Sequence, residues 1–175
     1  YNNYNSAFFK CTDNGLRYNI LVRVYNGSVA FRYQIAQQNS VVKSGITKEL
    51  TTFVFKQPLT LYQYNQETVF TPVSIDSLYK TCDFPATLTD YKNTYISIGE
   101  ADNENYTKAE LRKGSINNSL QVAFMHDSIV NTTAGFETPW RTISYANTAI
   151  GLHRFSDLYL RLVEPVADSI PSWII

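Results

Sequence analysis

The dipeptide Asn26-Gly27 constrains this chain more than any other feature. Before it, Ile20, Val22 and Val24 alternate with Leu21, Arg23 and Tyr25. After it, Val29, Phe31, Tyr33 and Ile35 alternate with Ala30, Arg32 and Gln34. An Asn-Gly pair between two period-two runs specifies a β-hairpin, because a type I′ turn needs positive φ at both central residues. The pair therefore predicts antiparallel sheet early in the chain. Arg23 and Arg32 fall on the more polar side of their strands, where a solvated sheet face is expected.

Further short β runs follow: 50–55, 59–63, 68–73, 93–99, 109–111, 120–124, 140–145 and 158–163. Their connections are polar and bear Asn and Gly. Tyrosine (13) and phenylalanine (10) are abundant, and these residues suit a pleated, half-buried surface. The expected fold is all-β, an antiparallel β-sandwich. One weak helical turn is predicted at 148–154, with Ile150, Leu152 and Phe155 on one face. Glu164-Pro165 ends the last predicted strand, since proline cannot donate to a ladder. Residues 1–165 thus read as the sandwich and 166–175 as a linker. A stretch ending Trp173-Ile174-Ile175 is a poor free terminus, so that linker is expected to run toward a further domain.

Charge excludes some functions. Fifteen basic and fifteen acidic residues balance, so no basic excess marks a nucleic-acid binder. Apolar runs such as Ile20–Val22 are too short to span a bilayer. No signal-peptide pattern opens the chain. Its first residue is Tyr1 and its only methionine is Met125, so it is expected to be trimmed or cut from something longer. Cys11 and Cys82 are too few and too distant for a zinc site, and read as free buried thiols, a disulfide being the alternative.

Catalytic motifs are lacking. His126 and His153 fit no metal-ligand spacing, and there is no GxSxG, P-loop or GxGxxG. Three Asn-x-Ser/Thr sites, at Asn105, Asn117 and Asn131, read as loop composition. The acidic stretch Gly99–Glu104 is more suggestive. Hard cations take carboxylate oxygens, and Glu100 follows directly on a strand. The stretch lacks EF-hand spacing, so its residues alone read as a solvated acidic loop.

Several segments, in order, resemble glycoside hydrolase family 97. Val22–Tyr33 resembles that family's R-V-x-N-x-x-x-A-F-R-Y hairpin. Tyr95–Ala101, with Tyr106 six residues after Glu100, is similar to its L-x-I-x-E-A strand and loop. Thr138–Ile143 resembles its PWR-x-I strand. Leu160–Pro165 and Ser172–Ile174 resemble its exit into a barrel. Asn105 stands where many members have Asp, and Val163 where they have Asn.

The resemblance implies the later part of an N-terminal β-supersandwich, lacking its opening strands, from a bacterial, exported, exo-acting α-glucosidase or α-galactosidase. It implies a periplasmic or extracellular location, with a (β/α)8 barrel of the same parent chain as partner and an oligosaccharide as substrate. Both catalytic carboxylates would lie on that barrel. By the resemblance, Glu100 is a metal ligand, one of several holding calcium in the parent's active site. The 175-residue chain alone is then expected to be inactive, to hold calcium weakly, and either to oligomerise through an exposed sheet edge or to cover the gap with its own tail. A reading from another class is a stand-alone β-sandwich that binds carbohydrate or a protein partner.

Overall fold

A computed structural model describes residues 2–35, 43–104, 106–125, 130–133 and 135–164. The linker 166–175, His126 and Asn105 lie outside the described residues. The fold is the expected all-β, antiparallel sandwich, with two short helices added.

The first hairpin joins β1 (Asn5–Asp13) to β2 (Leu16–Tyr25), and the second joins β2 to β3 (Ser28–Ile35). Asn14 and Gly15 have φ of 48° and 83°, as a type I′ turn requires. At the predicted Asn26-Gly27 turn only Gly27 takes positive φ, at 85°. The hairpin is there, but its turn is not type I′. Its neighbours set it: the Tyr145 amide donates to the Gly27 carbonyl at 2.8 Å, and the Phe155 ring lies where a Gly27 Cβ would be, 2.4 Å away.

The next strands are β4 (Lys43–Ile46), β5 (Thr52–Val54), β6 (Thr60–Gln63), β7 (Thr71–Ser74), β8 (Thr81–Cys82), β9 (Ala86–Thr89) and β10 (Tyr95–Ala101). After them come β11 (Ala109–Lys113), β12 (Ser119–Phe124), β13 (Val130–Thr133), β14 (Phe136–Glu137) and β15 (Trp140–Ala146). The large sheet runs β1-β2-β3-β15-β10-β9-β6-β7, with β14 also on β3. A four-stranded sheet runs β5-β12-β11-β8, and β13 pairs with β4 separately.

Alternate residues of β10 feed two cores. Ile96 and Ile98 join Leu61, Leu88, Leu111, Leu120 and Val122 between the two sheets. Ala101 joins Trp140, Ala30, Leu158 and Leu162 in a second cluster. Period-two alternation puts these on opposite faces of the large sheet, so it is sandwiched between the small sheet and a helical layer.

That layer is α1 (Ala149–His153) and α2 (Leu158–Leu162). The predicted turn at 148–154 is helical, capped by Thr148 accepting from the Gly151 amide. Its face differs from expectation: Ile150 points outward, 71% exposed. The predicted strand at 158–163 is helix instead. Leu158 and Leu162 satisfy both a period of two and an i, i+4 spacing, and only Leu160 distinguishes them. It is 80% exposed, while the other two are buried. Arg161 bonds back to Asp157 one turn earlier, at 3.0 Å.

The two hairpin arginines are also corrected. Neither lies on a solvated face. Arg23 sits between the rings of Tyr4 and Trp140, at 4.8 and 4.6 Å from their centroids. Arg32 lies over Trp140 at 4.5 Å and pairs with Asp102 and Glu137. A large indole on the helical face recruits both cations. Cys82 is a buried free thiol as expected; Cys11 is free but only half-buried.

Candidate functional site

Antiparallel register places Glu100 of β10 directly opposite Arg141 of β15. Their side chains share the face that packs toward the small sheet. Arg141 is fully buried there. A buried guanidinium needs charged acceptors on its donors. Glu49, just before β5, supplies two: Nε donates to Oε1 at 2.9 Å and Nη2 to Oε2 at 2.5 Å. Nη1 donates to Glu100 Oε2. The Tyr106 hydroxyl donates to Glu49 Oε2 at 3.5 Å, and its ring meets Phe124 edge-on at 5.7 Å.

Two carboxylates thus share one buried cation. Burial raises the Glu100 carboxyl above its ordinary range; Arg141 opposes this and Glu49 reinforces it. Burial works against the charge of Arg141, but hydrogen bonds and charge from Glu49 and Glu100 hold its pKa above the ordinary value. Burial also raises the Tyr106 phenol, with the charge of Glu49 adding.

Glu100 is not in a loop. It sits within β10, and Asp102 beyond it is held by Arg32 at 2.8 Å, so the acidic stretch is not simply solvated. The Glu100 side chain is 16% exposed, and among the described residues Oε1 meets only Asn103 Nδ2, at 3.5 Å. One carboxylate oxygen therefore keeps lone pairs for a cation. Among the described residues no three His, Cys, Asp or Glu side chains cluster closely enough to hold a metal. The donor set fits calcium only if other ligands come from beyond these described residues.

Sequence reasoning named Glu100 and Tyr106 and quoted Arg141 within the PWR motif, but did not join them. It missed Glu49, which has no motif around it and lies 92 positions from Arg141. His153 is exposed on α1, and Asn117 is exposed in the turn between β11 and β12.

A buried Arg shared by two glutamates, on the inner face of a sandwich backed by helices, marks a structured acidic site rather than a complete catalytic centre. The model of the family "Glycosyl-hydrolase 97 N-terminal" matches residues 1–165, and the chain belongs to that family. A variant of a glycoside hydrolase family 97 enzyme from Pseudoalteromonas sp. strain K8, solved in complex with panose, is 25% identical with a TM-score of 0.84. The match covers 97% of this chain and 27% of that one. The structure of a family 97 enzyme from the same strain with acarbose is 24% identical, with a TM-score of 0.78 and the same coverage. A β-arabinopyranosidase shares the fold at 16% identity and a TM-score of 0.64, over 83% of this chain and 31% of that one. The chain thus spans about a quarter of the length of the family 97 structures it matches. No curated protein matches it.

Proposed function

We propose that this chain is the non-catalytic N-terminal portion of an exo-acting α-glycoside hydrolase, an α-glucosidase or α-galactosidase exported to the periplasm or cell exterior. Residues 1–165 form its sandwich and 166–175 its linker. It packs on a (β/α)8 barrel of the same parent chain and supplies Glu100 to a calcium site there. The observation that carries the reading is the Glu100 carboxylate. One oxygen is fixed by Arg141, and among the described residues the other meets only a long contact from Asn103. Family membership supports the glycosidase context.

Arg141, itself fixed by Glu49, holds the Glu100 side chain against the sheet, so it meets a cation without losing rotamer freedom. Calcium bound there would supply positive charge that orients and polarises groups at the site. Bond cleavage would fall to two barrel carboxylates, one protonating the leaving oxygen while the other activates water or attacks the anomeric carbon.

The test begins with the source gene beyond Ile175. A (β/α)8 barrel is expected there, and an unrelated sequence overturns the reading. In that longer enzyme, Glu100→Gln should weaken calcium affinity at least tenfold by titration calorimetry. An unchanged affinity removes Glu100 from the site. The 175-residue chain should bind calcium only weakly and leave aryl α-glycosides uncleaved; sub-micromolar calcium affinity or measurable turnover contradicts this.

A further inference from the structure

On the helical side of the large sheet lies a cavity of about 490 Å³, on the opposite face from Glu100. Its floor is a row of hydroxyls. Thr87 of β9 is in register with Ser97 of β10, and Ser97 with Ser144 of β15. These three side chains project the same way from three adjacent strands, and all three line the cavity. Ser144 shares a 2.8 Å hydrogen bond with Ser28 of β3, which extends the row by one strand. Among the described residues, the Thr87 and Ser97 hydroxyls have no protein partner.

The middle of a sheet beneath helices is ordinarily apolar, because that is where helix packing removes most area from water. Here polar residues lie on the strands beneath the helical layer. The walls are aromatic. Tyr62 and Tyr95 rise from the sheet, while Phe155 and Tyr159 come from the helical layer. Tyr159 is seated on Gly99, whose missing Cβ would lie 2.3 Å from the tyrosine oxygen. Tyr62 is steadied by Tyr91, with the rings edge-on at 6.3 Å.

No Lys, Arg, Asp or Glu lines the cavity. A cationic ligand would therefore find no counter-charge, and an anionic one only the His153 imidazole. Hydroxyls both donate and accept, so three in a row suit a ligand whose own groups do the same. Aromatic walls suit apolar C–H faces. The volume falls in the range of small-molecule sites. A neutral, ring-shaped, polyhydroxylated molecule combines these properties.

We propose that this cavity is a sugar-binding site, with aromatic faces stacking on the ring and the Thr87–Ser97–Ser144 row bonding its hydroxyls. The site does not depend on the calcium assignment and takes no part in bond cleavage. It would give the domain a hold on carbohydrate separate from any barrel.

Saturation-transfer NMR and calorimetry on the 175-residue chain test this, with glucose, galactose, arabinose and maltose as probes. Cyclohexanol serves as the ring-sized probe carrying a single hydroxyl. At least one sugar should bind saturably and more tightly than cyclohexanol. Ser97→Val keeps a strand-forming side chain but removes the central hydroxyl, and should weaken that sugar at least tenfold. Tyr95→Ala, which spares the Tyr159–Gly99 contact, should weaken it similarly. Three results overturn the proposal: no saturable sugar signal up to about 50 mM from a chain folded by circular dichroism, cyclohexanol binding as tightly as the sugars, or unchanged sugar affinity in both variants. Each leaves the calcium reading untouched.

Discussion

Arg141 grips both carboxylate oxygens of Glu49, at 2.9 and 2.5 Å, where no part of the arginine reaches solvent. A planar fork meeting a carboxylate in this way gains geometry as well as charge. Replacing Arg141 with methionine fills similar space but leaves Glu49 and Glu100 facing each other without a cation. Arg141→Met should lose about 3–5 kcal/mol in urea denaturation. A loss under about 1 kcal/mol would show that the cluster is far wetter than its burial implies.

Glu100 has the opposite balance. Burial raises its carboxyl above the unfolded value, so the folded chain holds this proton more tightly. That contribution is fully present below the ordinary carboxylate range and is lost as pH rises through the raised value. Glu100→Gln fixes a neutral side chain. It should melt above the parent protein at pH 7, and the gap should close as pH falls below about 4.5. A lower melting temperature for the variant at pH 7 would mean that its bond to Arg141 outweighs desolvation.

Gly99 has no left-handed backbone to explain it; space does. An added Cβ would lie 2.3 to 2.8 Å from three atoms of Tyr159. Gly99→Ala should destabilise by about 1–3 kcal/mol through overpacking. In a Tyr159→Ala background the same change should be nearly neutral. Additive losses in the double mutant would place the strain elsewhere.

The two cysteines should differ in reactivity. Burial pushes the Cys82 thiol up to about 11, whereas Cys11 is half-exposed on β1. In the native chain at pH 8, a disulfide-exchange reagent should titrate one thiol promptly and the second only after unfolding. Two equivalents reacting together would contradict the burial of Cys82.

Strand β1 ends the large sheet, and its Phe8 and Phe9 are both about half exposed on opposite faces. An open edge that exposes two phenylalanines invites another strand. We expect concentration-dependent association in sedimentation experiments, reduced by Phe9→Lys. A monomer at all concentrations would show that this edge needs no cover.

The sandwich was legible because period-two alternation survives in β2, β3, β10 and β15. The helix at Leu158–Leu162 was not, since its leucines fit either period and only burial separates them. Arg23 and Arg32 read as solvent-facing because sequence does not show which ring lies across the next strand. Glu100 was found through its neighbours in the chain. Glu49 and the hydroxyl row could not be, because each exists only once strand register is set.

Strand β15 lies between β3 and β10, joining the early hairpins to the rest of the large sheet. The Thr138 amide, just ahead of it, bonds the Tyr33 carbonyl 105 positions earlier. During synthesis, the first three strands must therefore wait for most of the chain before their inner edge is paired. Such distant pairing slows folding and lengthens exposure to misassembly. The ribosome and any holding chaperone thus face an open sheet on this protein until β15 is delivered.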